Sequence, residues 1–202
     1  MIARFSNTDS KNWMKPDGSW WYDLEDQIGV YDDPLYNRDA ISAAFWLLKG
    51  TEFKVTRTDD VTHTALLKTK GECLRRKTFR SKITGYGNFR NGAKWSHNKC
   101  LGACSVTFGG QFASTDGFKY ASHSCSSDIG GAKKINFWCD WGWDASVMMI
   151  GKGGSDCGRS DHGLGVTEED YPRFSSFYAR RDFSNSGHNI GAKAYGLNLW
   201  IR

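Results

Sequence analysis

The sequence predicts an α+β domain with much irregular structure, and three of its features carry that expectation. One stretch, residues 38–49, has helical periodicity. Several later stretches are short, rich in Thr, Val, Ile and aromatic residues, and separated by clusters of Gly, Asp, Asn or Ser. Finally, 23 Gly stand against 3 Pro, which suits tight turns and irregular loops better than a helical bundle.

Taken in order, residues 1–36 read as loop-like and aromatic, with Trp13, Trp20, Trp21, Tyr22, Tyr31 and Tyr36 among Asp, Gly and Pro. The helix of 38–49 follows. Ile41, Ala44, Phe45 and Leu48 fall on one face, Asn37 stands where an N-cap side chain would accept, and Gly50 stands where a C′ glycine belongs. Strands are expected over 53–58, 63–69, 104–108, 135–139, 147–150 and 196–201. The last of these alternates, with Leu197, Leu199 and Ile201 on one face and Asn198 and Trp200 on the other, so pairing it into a sheet would tie the C-terminus down. No internal repeat, low-complexity tract or linker divides the chain. A single domain over 1–202 is therefore expected, with 1–140 as its sheet-and-helix part and 141–202 as its binding part and C-terminal strand.

With 202 residues, of which 14% are aromatic, the chain can bury a substantial core and is not a disordered polymer. The mean hydropathy of −0.57 and the lack of any apolar run of about eighteen residues predict no membrane span. The net charge is +5, and the densest basic clusters are Arg75–Arg76–Lys77 with Arg80 and Lys82, then Lys133–Lys134 and Arg180–Arg181. A nucleic-acid footprint would be a basic stripe with aromatics interleaved on one element. These clusters read instead as solvated faces, so nucleic acid is not an expected partner, while attraction to anionic glycans stays open.

Cys73, Cys100, Cys104, Cys125, Cys139 and Cys157 make an even count, compatible with three disulfides of undetermined connectivity. The rival is zinc, because Cys100-Leu-Gly-Ala-Cys104 is a CxxxC. No second close pair accompanies it, as structural zinc sites usually require. Disulfides are the better reading, and with them an oxidising, extracellular compartment. Met1-Ile-Ala-Arg-Phe5 is not a secretory leader, so the expectation is a chain truncated at its N-terminus, from a larger secreted protein.

The segment after residue 147 carries the most chemistry. A short apolar run feeds Gly151, Gly153 and Gly154, followed by Cys157 and a set of carboxylates: Asp156, Asp161, Glu168, Glu169, Asp170 and Asp182. Glycine lets backbone carbonyls turn inward, and gathered carboxylates repel one another unless a cation lies between them. Calcium, which takes six to eight oxygen ligands in flexible geometry, suits such a segment; a solvated acidic loop is the plainer alternative. His162 is more naturally a hydrogen-bonding than a calcium-ligating residue, because calcium prefers oxygen. Tyr171, Phe177, Tyr178 and Tyr195 flank the acidic residues, where a ring face can pack on a pyranose, although core packing is the commoner role of any one ring. Trp138 is expected to point into the core from its strand.

No catalytic motif accompanies these residues. G-x-S-x-G and H-E-x-x-H are absent, and Gly151-Lys-Gly153-Gly154 has the wrong spacing for G-x-G-x-x-G. A glycosidase built on Glu168 and Asp182 would need a defined carboxylate separation. The expectation is a binding protein and not an enzyme.

The run VMMIGKGGSDCGRSDHGLGVTE, the downstream RRDF and the terminal YGLNLWIR resemble the C-terminal half of invertebrate fibrinogen-related domains, and within them the intelectin (X-type lectin) branch. The opening Ile2-Ala-Arg-Phe-Ser6 is similar to a strand near the start of such domains. The resemblance implies a fibrinogen C-terminal-like fold: a short twisted antiparallel sheet, few helices and a large irregular calcium-loop region. It also implies a calcium ion (Ca2+) that chelates a vicinal diol of a cell-surface or microbial glycan, in a protein able to form homo-oligomers. Carried over by position, Asp161 takes the place of a ligand histidine, Glu168 or Glu169 supplies the next carboxylate, and Asp182 the last. Gly158 stands where the family has a ligand Asn, and the family's cysteines at two further positions are Gly163 and Arg180 here. His162, Tyr178, His188 and Tyr195 would face the ligand. The alternative function is a non-catalytic matrix or protein-interaction domain, in which calcium only stiffens a loop.

Overall fold

The computed structural model describes residues 1–6, 25–89, 93–109, 119–120, 123–124, 133–141, 144–151, 163–164 and 195–202. In chain order these form β1 (Ala3–Ser6), β2 (Ala40–Ile41), α1 (Ala44–Leu47), β3 (Lys49–Gly50), β4 (Phe53–Arg57), β5 (Leu67–Thr69), β6 (Lys77–Thr78), α2 (Phe79–Thr84) and β7 (Lys99–Phe108). They continue with β8 (Lys119–Tyr120), β9 (His123–Ser124), β10 (Lys134–Trp141), β11 (Asp144–Ile150), β12 (Gly163–Leu164) and β13 (Gly196–Ile201). Nine of the strands make one antiparallel sheet in the order β12-β11-β10-β7-β5-β4-β13-β1-β2, beside two-stranded pairs β3-β6 and β8-β9.

The expected α+β, fibrinogen C-terminal-like architecture is therefore corrected: the described chain is mostly β-sheet with two short helices. The expected helix over 38–49 shows why. Ala40 and Ile41 form β2, opposite Arg4 and Ala3 of β1, and Ile41 also exchanges backbone hydrogen bonds with Ile28. Only Ala44–Leu47 is helical, and its N-cap is Ala43, with no side-chain cap. Asn37 instead accepts a hydrogen bond from the Ser6 hydroxyl at 2.9 Å. The apolar spacing is real, because Ile41 and Phe45 are both fully buried. The first reaches the core from a strand and the second from a helical turn. Leu48, expected on the buried face, is 48% exposed.

Gly50 is likewise not a helix cap. It lies in β3, where an added Cβ would stand 2.5 Å from the backbone oxygen of Arg202. That close approach lets Thr51 and Glu52 donate their N–H groups to Arg202 while Arg202 donates back to Glu52. Gly50→Ala is expected to push the C-terminal residue away and cost about 1–3 kcal/mol. Urea unfolding at constant m-value checks it.

The strand of 53–58 is observed as β4 and that of 196–201 as β13. The strand expected over 63–69 begins only at Leu67, because the Asp60 carboxylate accepts from the N–H groups of Thr62 and Thr64 and holds a turn there. β7 is twice the expected length: its first part pairs with β10, and Val106–Phe108 pair with β5. It joins the two halves of the sheet. β13 lies between β4 and β1, so the two ends of the described chain meet in the sheet interior.

On one side of the sheet, α2 brings Phe79 and Ile83 onto the core. Thr78 caps it by accepting from the Ser81 N–H at 3.0 Å. Phe79 packs on Phe45 and Phe53 at ring-centroid distances of 5.5 and 5.1 Å. Trp138 is fully buried, as its strand position predicts. It packs on Phe89 and Trp95 and donates its indole N–H to the Ile83 carbonyl at 2.9 Å. Elsewhere the sheet buries polar side chains. Arg4 and Asn198, opposite one another on β1 and β13, are fully buried and both donate to carbonyls of the 30–38 segment.

Candidate functional site

The acidic segment is framed by the sheet. β11 is paired on one side with β10 and on the other with β12, through Met148 opposite Leu164 and Met149 opposite Gly163. Gly151, just after β11, and Gly163, paired back onto the same strand, thus flank residues 152–162. The first of these is held by its N–H, which donates to the Lys134 carbonyl at 2.8 Å, and by Asn136, whose side-chain amide donates to the Gly151 carbonyl. Gly158, Asp161, His162, Glu168, Glu169, Asp182, Tyr178 and His188 lie outside the described residues, as do Cys125 and Cys157. Among the described residues, no group of three or more His, Cys, Asp or Glu side chains is arranged to hold a metal ion.

Tyr195 is described, and it is fully buried immediately before β13, with the Arg57 guanidinium 4.5 Å from its ring centroid. Its ring faces are packed within the protein, in the core role that any of these rings could take.

Two disulfides are present, Cys73–Cys104 and Cys100–Cys139. Cys100 and Cys104 lie on the same strand but take different partners, so the CxxxC is neither a metal clip nor a local bridge. Cys100 stands directly opposite Cys139 in the β7–β10 pairing. Cys104 reaches out of the sheet to Cys73, in the turn before β6.

Clefts open among the described residues, and two of them gather polar groups. The first, about 280 Å³, lies at the start of β4, beside β5 and the end of β13, and Glu52, Lys54, Lys68, Trp200 and Arg202 line it. Lys54 holds its ammonium 5.4 Å from the Trp200 ring centroid, Trp200 donates its indole N–H to the Thr56 hydroxyl at 2.8 Å, and Arg202 pairs with Glu52. Lys54 and Lys68 are opposite in register, so the cleft is net positive. An aromatic ring among charged hydrogen-bonding groups is chemistry suited to a sugar. The sequence set Trp200 on the face of Asn198 without assigning it a ligand. Only the cross-strand register, which brings two lysines beside it, marks it out.

The second cleft, about 370 Å³, lies between α2 and β7. Arg75, Lys77, Ser81, Lys82 and Tyr86 contribute its polar groups, and the Cys73 end of a disulfide lies at its edge. Lys82 is half-buried, with its ammonium 5.2 Å from the ring centroids of both Tyr86 and Phe137. Burial, and then the nearby Arg75 charge, push its pKa below the usual lysine value. Burial also raises the Tyr86 phenol above its usual value, against a smaller opposing effect of Arg75, so Tyr86 is a neutral hydroxyl at physiological pH. The Tyr86 hydroxyl lies over Gly102 of β7, where an added Cβ would stand 2.1 Å from it. The sequence showed these basic residues only as a charged run. The fold turns Arg75, Lys77 and Lys82 toward one cleft and sends Arg80 elsewhere, to Glu25 at 3.2 Å.

No protein-family model matches the chain, and no curated protein matches it. None of the described helices is long and apolar enough to cross a membrane. The disulfides fit an oxidising compartment.

Proposed function

We propose that this chain is a secreted, calcium-dependent carbohydrate-binding domain that performs no catalysis. The observation that carries the proposal is the framing of the 152–162 segment. Both of its ends are hydrogen-bonded to one sheet, through Gly151 on Lys134 and Gly163 opposite Met149. Fixing both ends of a segment on one sheet limits the entropy lost when oxygen ligands within it gather on an ion. Asp161 stands two residues before Gly163 of β12, and Glu168, Glu169 and Asp182 follow in sequence; as hard oxygen donors they suit calcium better than zinc. Such an ion would supply a fixed positive centre to which sugar hydroxyls can bind. The Trp200 cleft adds a ring face among charged donors and acceptors, and the two disulfides support an extracellular setting.

The test joins two measurements. A site of extracellular strength, about 10⁻⁴ to 10⁻³ M, stabilises the chain by about 0.4–1.4 kcal/mol in millimolar calcium. Removing calcium with EDTA should therefore lower Tm by about 1–5 °C, with recovery in calcium but not in magnesium. The same EDTA treatment should abolish binding to immobilised glycans, and Asp182→Ala should remove both effects. Glycan binding that persists in EDTA, or a Tm indifferent to calcium, would refute the proposal. A calcium-dependent Tm without glycan binding would instead favour a structural domain with a stiffened loop.

A further inference from the structure

The cleft between α2 and β7 concentrates positive charge that no carboxylate among the described residues lining it neutralises. Arg75, Lys77 and Lys82 line it, and among the described residues no Asp or Glu does. None of the three enters an ion pair among the described residues. Burial first, and then repulsion from the Arg75 charge, lower the pKa of Lys82.

Two hydroxyls complete the lining. Ser81 Oγ accepts from the Thr78 hydroxyl at 2.9 Å, which leaves its own proton to donate. Tyr86, neutral at physiological pH and with its pKa raised further above the ordinary value by burial, presents a phenolic O–H. The lining side chains thus offer donors and positive charge without a carboxylate acceptor.

The backbone that carries Arg75 is held in an unusual shape. Glu72, Arg75 and Arg76 have φ of 56°, 50° and 56°, in the left-handed region that non-glycine residues seldom occupy. The Cys73–Cys104 disulfide, the Leu74 N–H donated to Thr51 at 2.8 Å and the Lys77 N–H donated to Leu74 at 2.9 Å hold that turn against the sheet. Left-handed residues persist where the surrounding structure over-determines them, as it does here.

We propose that this cleft is an oxyanion-binding site, which takes a sulfate or phosphate group on Arg75, Lys77 and Lys82 with the Ser81 and Tyr86 hydroxyls. A tetrahedral oxyanion has enough acceptor oxygens to engage cations converging from the turn and from α2 while also meeting the hydroxyls. A carboxylate, with two oxygens on one carbon, satisfies fewer of them. The inference is independent of the calcium and glycan reading, since none of these five residues lies in the acidic segment.

The test is titration of the full chain with sodium sulfate, sodium phosphate, sodium acetate and a sulfated oligosaccharide, against sodium chloride at matched ionic strength. Calorimetry and Tm provide the readouts. Sulfate or phosphate should bind saturably and raise Tm, whereas acetate should not. Sulfate also stabilises proteins generally by exclusion from their surfaces, but that effect neither saturates nor depends on one side chain. Arg75→Gln and Lys77→Gln, both at exposed side chains, should each weaken binding by about tenfold, the factor that one charge-assisted hydrogen bond is worth. Lys82→Gln should weaken it similarly, and the two exposed variants keep the test decisive if that half-buried change destabilises the fold. A difference between inorganic sulfate, phosphate and the sulfated oligosaccharide identifies which source the site prefers. A response equal to that of chloride, or one retained in Arg75→Gln and Lys77→Gln, overturns the proposal.

Discussion

Replacing Arg4 by Met is expected to lower Tm by about 10 °C. Arg4 is fully buried, and its guanidinium donates to the carbonyls of Arg38 at 2.5 Å, Asp33 at 2.7 Å and Val30. Its charge lies 5.8 Å from the Tyr36 ring centroid. Burial lowers its pKa, partly offset by Asp33, Asp39 and Tyr36, yet an arginine stays protonated at any ordinary pH. Met has similar reach and offers no donor. The carbonyls of the 30–38 segment would then lose their partners and their charge-assisted bonds together, at a cost of about 3–5 kcal/mol. For a chain of this size each kcal/mol is worth about 2–4 °C. Arg4→Lys keeps the charge but loses the planar fork, so it should fall between the two. Thermal unfolding of the three proteins side by side checks the order. Equal stability of Arg4→Met and the parent would mean that the segment is held by something other than this side chain.

The second large effect belongs to the disulfides. Cys73–Cys104 and Cys100–Cys139 close loops with sequence separations of 31 and 39. In the chain-entropy account each contributes about 3.5–4 kcal/mol by restricting the unfolded chain. The double variant Cys73→Ser/Cys104→Ser should therefore lose about 7–15 °C in Tm. It should also lose affinity for sulfate, because the turn bearing Arg75 is no longer fastened to β7. Non-reducing peptide mapping gives the prior check: fragments joined through 73 to 104 and through 100 to 139 are expected. A peptide holding Cys100 bridged to Cys104 would contradict the pairing.

The disulfides also show how much the sequence could say. An even cysteine count without a second close pair was enough to favour bridges over zinc, but not to choose partners. Cys100 and Cys139 are chosen by register, since β7 and β10 place them directly opposite. Cys73 and Cys104 are chosen by the turn that ends beside β7. The acidic segment was legible as a candidate site because carboxylates and glycines declare themselves in any order. The oxyanion cleft was not, because its parts are spread over a turn, a helix and the neighbourhood of β7, and become one site only when α2 packs on the sheet.

The strands over 53–58 and 196–201 and the burial of Trp138 follow from the sequence by itself, through local alternation, β-branched content and the size of an indole. The fold class does not. Ile41 and Phe45 satisfy a helical period, yet the backbone at Ala40 and Ile41 is claimed by β1 and by Ile28, elements far away in the chain. A short helix has little stability of its own, so a competing strand partner converts part of it to sheet. The position of β13 in the sheet interior, the buried arginine that secures the 30–38 segment and the gathering of three cations round one cleft were likewise decided by tertiary structure. Local pattern records which side chains avoid water. Which backbone groups pair, and which charges meet, is set by contacts between residues that the sequence leaves far apart.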